Sequence, residues 1–451
     1  MFGTSSADDI PIYLEFSFGL PRLRVGQTLD RTCSPLQLGS MMEKKMATRM
    51  LAALTAVLIG TNWTFAQAPE LVPAPTPLID RTGISTIRPA GETTVGRDPQ
   101  MWVSADYLFT FLRGVNSPPL VTTSIPGTAR ASAGILGAPG TSTLFGGFVN
   151  EDFRSGVRLG AGYWFNPEQT LGVEAGFTLI ASQSDTLSAN ANDGSILARP
   201  IIDARDGTSQ ALVVAFPGTS TGSIDVRANS GNFYEAHVGL AEKALDTGSY
   251  RLYSLLGYRY YRYDERVGIQ QTINPTAAPF VAGTQIVTND NFHTRNEFHG
   301  LDLGFRSQAS WNTLTLDVLT KLAVGRVNRT INIGGDQTIT VPGVAPVTQT
   351  AGVLALATNS GVVDTGDWKV MPELGVTLNW QLRANVSLRL GYSFIFLNGV
   401  SRAADQIDTT INPNFLPGAN PALGGLLRPV AQNIRADMWI QSCNVGLLWA
   451  Y

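Results

Sequence analysis

Histidine is the side chain with which proton transfer near neutral pH most readily starts, and the chain carries three: His237, His293 and His299. His293 and His299 stand close in sequence to Asp290, Glu297 and Asp302, so their types allow an Asp/His pair that activates water. Six residues apart on a strand, the two imidazoles share a face about 20 Å from each other, too far for one metal ion. A Ser-His-Asp signature and a phosphate cradle are both missing; Gly160-Ala-Gly162 lies inside an alternating run with no helix after it. Two Cys, Cys33 and Cys443, give neither a disulfide framework nor a Cys-based zinc site. The expectation is a protein that is not an enzyme, with no catalytic residue, no metal and no cofactor.

Charge placed at alternate positions suggests a different chemistry. On the less apolar phase of successive segments stand Asp106, Glu174, Glu235, Asp302, Asp317, Glu373 and Asp437, together with Arg158, Arg251, Arg259, Arg306, Lys321, Lys369, Arg389 and Arg435. Acids and bases are close to balance. Around a lumen they admit two readings: a salt-bridged plug, or separated ladders that orient small polar solutes along a water-filled path.

Such a lining needs a wall, and the composition describes one. Of 451 residues, 44% are apolar and only 15% charged, against about 25% charged in an ordinary soluble domain. A net charge of -3 argues against a nucleic-acid partner. The apolar residues are dispersed on every second position. Val103, Ala105, Tyr107, Phe109 and Phe111 alternate with Ser104, Asp106 and Thr110; Val157, Leu159, Ala161, Tyr163 and Phe165 alternate with Arg158, Gly160 and Gly162. Similar runs recur at 171–179, 234–240, 250–260, 301–305, 314–324, 374–380, 386–396 and 434–451, which makes ten strands. Short turns alternate with long loops, roughly 114–152, 181–231, 265–292, 326–366 and 398–433. Aromatic residues gather at both ends of the runs: Tyr107, Phe109, Phe111, Tyr258, Tyr260, Phe394 and Phe396 near the long loops, and Tyr163, Phe165, Trp380, Trp449 and Tyr451 near the short turns. These are the two girdles of a barrel in a bilayer. The expected fold is all-β: a transmembrane up-and-down antiparallel β-barrel of about ten strands, with short periplasmic turns and long extracellular loops.

The only continuous apolar run, 50–60, follows Lys44, Lys45 and Arg49 and precedes Thr64-Phe-Ala-Gln-Ala68. At about 11 residues it is too short to span a bilayer as a helix, and it has the order of a secretory signal. The expected organisation is a misassigned extension over 1–40, with translation starting at Met41, Met42 or Met46. A cleavable signal peptide over 41–68, a Pro-rich linker over 69–98 and a barrel over 99–451 follow. Cys33 falls in the extension, so no lipid anchor is expected.

The chain ends Asn444-Val-Gly-Leu-Leu-Trp-Ala-Tyr451. Asn444, Gly446, Trp449 and Tyr451 resemble the terminal signal that outer-membrane barrels present to the barrel-assembly machinery, on a strand open to strand addition. From about Trp102 the chain also resembles the planctomycete β-barrel porin-like family. This rests on Trp102-Val-Ser-Ala-Asp-Tyr-Leu108, Ser117-Pro-Pro-Leu-Val-Thr-Thr-Ser124, Gly134-Ile-Leu-Gly-Ala-Pro-Gly140 and Thr143-Leu-Phe-Gly-Gly147. It rests further on Ser155-Gly-Val-Arg-Leu-Gly-Ala-Gly-Tyr-Trp-Phe165, Ile196-Leu-Ala-Arg-Pro200 and Ala215-Phe-Pro-Gly218. The resemblance implies an outer-membrane barrel and says little about a substrate. Expected partners are outer-membrane lipid, the assembly machinery and small polar solutes. Two functions remain: a porin-like barrel with a narrow or gated lumen, or a non-conducting barrel that displays its loops. The apolar islands Pro119-Leu-Val121 and Val353-Leu-Ala-Leu-Ala357 are expected to pack among the loops rather than constrict the lumen.

Overall fold

The computed structural model describes residues 99–192 and 194–451. The expected extension (1–40), signal peptide (41–68) and linker (69–98) lie outside the described residues.

The strands in chain order are β1 (Met101–Leu112), β2 (Val115–Ser124), β3 (Thr141–Val149), β4 (Arg154–Trp164), β5 (Leu171–Ile180), β6 (Gln183–Asn190), β7 (Leu197–Asp203), β8 (Ser209–Ala215) and β9 (Ser220–Asp246). They continue with β10 (Tyr250–Pro275), β11 (Gln285–Trp311), β12 (Leu314–Thr340), β13 (Val347–Gln349), β14 (Gly361–Arg383), β15 (Val386–Val400), β16 (Thr410–Ile411) and β17 (Ala436–Ala450). Ten of them, β1, β4, β5, β9, β10, β11, β12, β14, β15 and β17, pair antiparallel with their neighbours in that order. The ring closes where β1 meets β17, with Trp102 opposite Ala450 and Leu112 opposite Ile440. Met101 and Tyr451 exchange backbone hydrogen bonds of 3.1 and 2.8 Å at the seam. Closure satisfies the backbone polar groups without a free edge, which a hydrocarbon environment demands.

The alternating apolar residues face out. On β11 and β12, Leu301, Leu303, Phe305, Leu314 and Leu322 are exposed, and so are Tyr107, Phe109, Phe111, Tyr258, Tyr163, Phe165 and Trp380 of the two girdles. Burying this wall in a soluble core would need a partner that the ring does not contain; lipid provides it.

The long connections are not bare loops, a departure from the loops expected over 181–231, 265–292 and 326–366. The four strands β9 to β12 run for 26 or 27 residues and rise beyond the lipid band. There the apolar phase switches faces. On β12 the outward apolar residues are even-numbered up to Val324, whereas Val327, Ile331 and Ile333 are odd-numbered and buried inside. Ile331 and Ile333 pack against a second sheet of β2, β3, β7, β8 and β16, which pair among themselves, while Val327 joins Phe298 and Met371 inside the lumen. Leu120, Val121, Phe145, Leu197, Val214, Val353, Leu354 and Leu356 join Val226, Ile269, Phe292 and Ile333 in one core. Both apolar islands therefore help to fill the long-loop mouth of the barrel, each as part of a packed cap.

Candidate functional site in the barrel lumen

Strand β10, read at every second residue, lists the contents of the lumen from the short turns outward. Tyr253 and Leu255 pack with Trp164 and Ala241. Arg259 follows, fully buried. Its NH1 lies 2.5 Å from Glu373 Oε2, its NH2 3.0 Å from Asp302 Oδ2 and its Nε 3.7 Å from Glu235 Oε1. Lys321 Nζ stands 3.3 Å from Asp302 and 3.5 Å from Glu174. Arg306 reaches Glu174 at 2.7 Å and Asp317 at 3.9 Å. His237 Nδ1 is 2.9 Å from Glu235 Oε1, Arg389 Nε donates to Asp106 Oδ1 at 2.9 Å, and Arg158 NH2 donates to Ser393 Oγ at 3.0 Å. The network crosses the lumen from β5 through β9, β10, β11 and β12 to β14. Breaking a buried pair of this kind by removing one partner typically costs about 3–5 kcal/mol, because the other charge is left uncompensated.

Above the charges lies an apolar layer. Tyr261 stacks on Phe298 with ring centres 5.4 Å apart, and on Phe233 at 5.7 Å. Met371, Ile395, Leu397, Met438 and Ile440 complete it from the far wall. Still further out, Tyr263 donates to Glu265 at 2.7 Å, and Glu265 holds Arg402 at 2.7 Å. Arg199 pairs with Asp290 at 2.6 Å, and Asp290 Oδ1 accepts the backbone N–H groups of Val353, Leu354 and Ala355 at 2.8–2.9 Å. In the same cap, burial pushes the Asp405 carboxyl up to about 6, against the opposing pull of Arg402.

Thirteen of the fifteen expected lining residues stand on the inward phase: Asp106, Arg158, Glu174, Glu235, Arg251, Arg259, Asp302, Arg306, Asp317, Lys321, Lys369, Glu373 and Arg389. Lys369 belongs to a separate group at the mouth, 3.2 Å from Asp367. Arg251 lies 3.6 Å from Asp246 at the short-turn end. Two assignments are corrected. Arg435 precedes β17 and meets Asp367 at 2.9 Å from an irregular segment, where alternation has no meaning. Asp437 is exposed and shares the outward phase of Trp439 and Val445; the strand begins at Ala436, so the phase must be counted from the buried Met438.

At the C-terminus Asn444 and Gly446 stand on the inward phase and Trp449 on the outward one. In the closed ring β17 is paired on both sides, so its edge is available only before β1 docks. His293 and His299 share the outward face of β11, and His299 Nδ1 hydrogen-bonds the Tyr258 hydroxyl at 2.6 Å. Among the described residues, no group of three or more His, Cys, Asp or Glu could hold a metal ion. Arg199, Glu265, Arg329 and Arg402 are buried polar residues of the mouth that the sequence reading missed, and Asp290, read there beside His293, stands on the opposite, inward face of β11. Their signal was the apolar alternation that continues through Val267 and Ile269 on the opposite phase.

A closed ten-stranded ring with a lipid-facing apolar wall and two aromatic girdles is the architecture of outer-membrane β-barrels. Residues 102–451 match the family described as "Putative beta barrel porin-7 (BBP7)", and the chain belongs to it: a porin-like outer-membrane β-barrel. No curated protein matches the chain. Among solved structures it is similar to the outer membrane protease OmpT from Escherichia coli, at 9% identity and a TM-score of 0.37, covering 78% of this chain and 97% of that one. It is also similar to the translocator domain of the autotransporter NalP from Neisseria meningitidis, at 10% identity and a TM-score of 0.21, covering 79% and 90%. A FadL homologue of Pseudomonas aeruginosa matches at 11% identity and a TM-score of 0.21, covering 78% and 90%.

Proposed function

We propose that this barrel is closed to solute flow in its resting state and serves as a membrane anchor for the cap at its mouth. The observation that carries the reading is Arg259, fully buried among Glu235, Asp302 and Glu373 at the middle of the lumen. A solute passing that level would have to separate charges held within 4 Å of one another, and then displace the Phe233–Tyr261–Phe298 stack. Ten strands also stand closer to small, side-chain-filled barrels than to the 16 to 18 strands of open porins. The porin-like alternative, passage of small polar solutes through a gated lumen, needs the network and the cap to move together. In this reading the chain reaches the outer membrane by a cleavable signal peptide, is inserted by the assembly machinery, and performs no hydrolysis at its His-bearing rim; His299→Ala should leave no activity to lose.

Planar-bilayer recording is the test. Verified insertion of the folded barrel should give silent membranes at low voltage, and Arg259→Ala should introduce a leak. Regular conductance steps from the unaltered protein would overturn the closed reading in favour of the porin.

A further inference from the structure

Glycine inside a strand costs backbone entropy and packs nothing, so each one asks for a reason. A positive φ or a close neighbour accounts for nearly all the described glycines: a Cβ on Gly300 would collide with Phe298, and one on Gly325 with the His299 carbonyl. Gly268 and Gly334 have neither. Their backbone conformation is one that any residue adopts, and a Cβ on either would meet nothing within 4 Å. At both positions the strands pair without a bulge. A strand glycine that neither backbone nor packing requires marks a place where something outside the fold approaches the chain closely.

The two glycines share a row. On the outward face of the extended sheet, beyond the outer lip of the lipid band, Thr186, Arg227, Gly268, Asn291 and Gly334 are successive register partners on β6, β9, β10, β11 and β12. The next row away from the membrane is Ser188, Asp225, Gln270, Asn289 and Asp336. Gly268 lies about 33 Å along β10 from Tyr258 of the outer girdle, clear of the bilayer. A cleft of about 420 Å³ opens over it, between Ser188 and Asp225 on one side and Asn289 and Asn291 on the other. The side chains of Val226 and Ile269 at this level point into the core, so the cleft meets only their backbone.

The lining selects the ligand. Neither row holds an aliphatic or aromatic side chain, which excludes an acyl chain and the apolar centre of a protein interface. One base against two acids, Arg227 against Asp225 and Asp336, offers an anion nothing, and the two carboxylates stand about 14 Å apart across three strand steps, too far to share a cation. What remains is a surface of hydrogen-bonding groups held in place. Gln270 Nε2 donates to Asn289 Oδ1 at 3.0 Å, Asn289 Nδ2 to Asp336 Oδ2 at 2.9 Å, and Ser188 Oγ to Asp225. Beside them Arg227 touches only Ser184 Oγ, at 3.4 Å, and the side chains of Thr186 and Asn291 make no hydrogen bond among the described residues. Amides and hydroxyls that both donate and accept complement a polyhydroxylated surface. We propose that this row is a binding groove for a neutral glycan. A sugar ring lies flat on the Gly268 backbone with its hydroxyls bonded by Arg227, Gln270 and Asn291, and the sugar chain continues across β11 to Gly334.

The test is surface plasmon resonance of the folded barrel in phosphatidylcholine nanodiscs over immobilised dextran, mannan and galactan, with empty discs subtracted. Binding to at least one of the three is expected. Gly268→Val, whose side chain enters the open space, should weaken it at least about tenfold, and Asn291→Ala at least about threefold. Thr340→Val, at the exposed outer end of β12, should leave it unchanged. Only barrels that keep their heat-dependent gel shift are compared, and Asn291→Ala secures the comparison if Gly268→Val does not fold. Loss of the signal when lipopolysaccharide is built into the same disc assigns the groove to sugars of the barrel's own leaflet; a signal that persists assigns it to polysaccharide from outside, and both support the proposal. Silence on all three polysaccharides, binding of dextran sulfate in place of the neutral polymers, equal binding of gelatin, or undiminished binding in Gly268→Val and Asn291→Ala would each overturn it.

Discussion

Asp290 is the residue on which the cap hangs. It is buried, one oxygen pairs with Arg199, and the other accepts three consecutive backbone N–H groups from Val353 to Ala355. Asp290→Ala would leave a buried guanidinium without its counter-charge, with only Gln271 Oε1 at 3.4 Å to accept from it, and three amides without partners, a loss of about 3–5 kcal/mol that falls on the cap and not on the lipid-embedded ring. Hydrogen exchange at 353–356 should accelerate by at least about 100-fold while the ring amides stay protected; equal acceleration in both would show that cap and ring unfold together. Asp405 gives the cap a pH dependence. Burial raises its pKa from 3.8 to about 6, so the folded cap favours the protonated form. That contribution is complete below about pH 3.8 and is lost as pH rises through 6. Asp405→Asn, neutral at every pH, should therefore slow exchange in 401–411 at pH 7.5 and change little at pH 4, after correction for intrinsic rates. An equal gain at both values would mean that the carboxyl pays no desolvation cost in the fold.

At the scale of the element, glycines on the inward face of β4 make room for a neighbour. A Cβ on Gly162 would fall 2.5 Å from Trp102 Cε2 and 2.8 Å from Cζ2, inside any tolerable contact. Gly162→Ala should therefore destabilise the barrel by about 1–3 kcal/mol through overpacking, read as a lower midpoint of heat-dependent gel mobility. Trp102→Ala in the same chain should recover part of the loss; strict additivity of the two substitutions would break the proposed contact. The lipid-facing rungs were legible because one rule, apolar at every second position, holds from Leu314 to Val324 and from Leu252 to Tyr260 with a single break in each, at Thr320 and Ser254. Beyond the lip that rule inverts: Arg326, Asn328 and Asn332 are exposed while Val327, Ile331 and Ile333 are buried inward, the last two against the cap. A reader following one phase sees the strand stop at that inversion, which is why the outer halves of β9 to β12 read as loops. The same inversion hid the pairing of Arg199 with Asp290, which joins β7 to β11 across 91 positions of sequence.

The closed ring is a property of the whole molecule, and one register decides it. Ten strands and the inward phase of most charges follow from alternation within each strand, but closure depends on β1 meeting β17, and no local pattern states which rung meets which. Here Phe109 stands directly opposite Cys443, with Thr110 hydrogen-bonded to Ser442 at 2.8 Å on the next rung. Directly opposed strand residues have Cβ atoms about 4.5–5.5 Å apart, whereas positions two rungs away are about 7–8 Å from the same partner. Cys443 is a free thiol on the outer wall, so one introduced cysteine can report the register. In a chain with Cys33→Ser, Phe109→Cys should oxidise to a disulfide across the seam, tying a loop of over 300 residues and producing a faster band on a boiled, non-reducing gel. Tyr107→Cys and Phe111→Cys, which oppose Val445 and Gln441, should crosslink poorly under the same oxidant. The disulfide geometry tolerates Cα separations of about 4.4–6.8 Å, so a slip of two rungs would move the efficient crosslink to one of these controls, and an open seam would abolish it in all three.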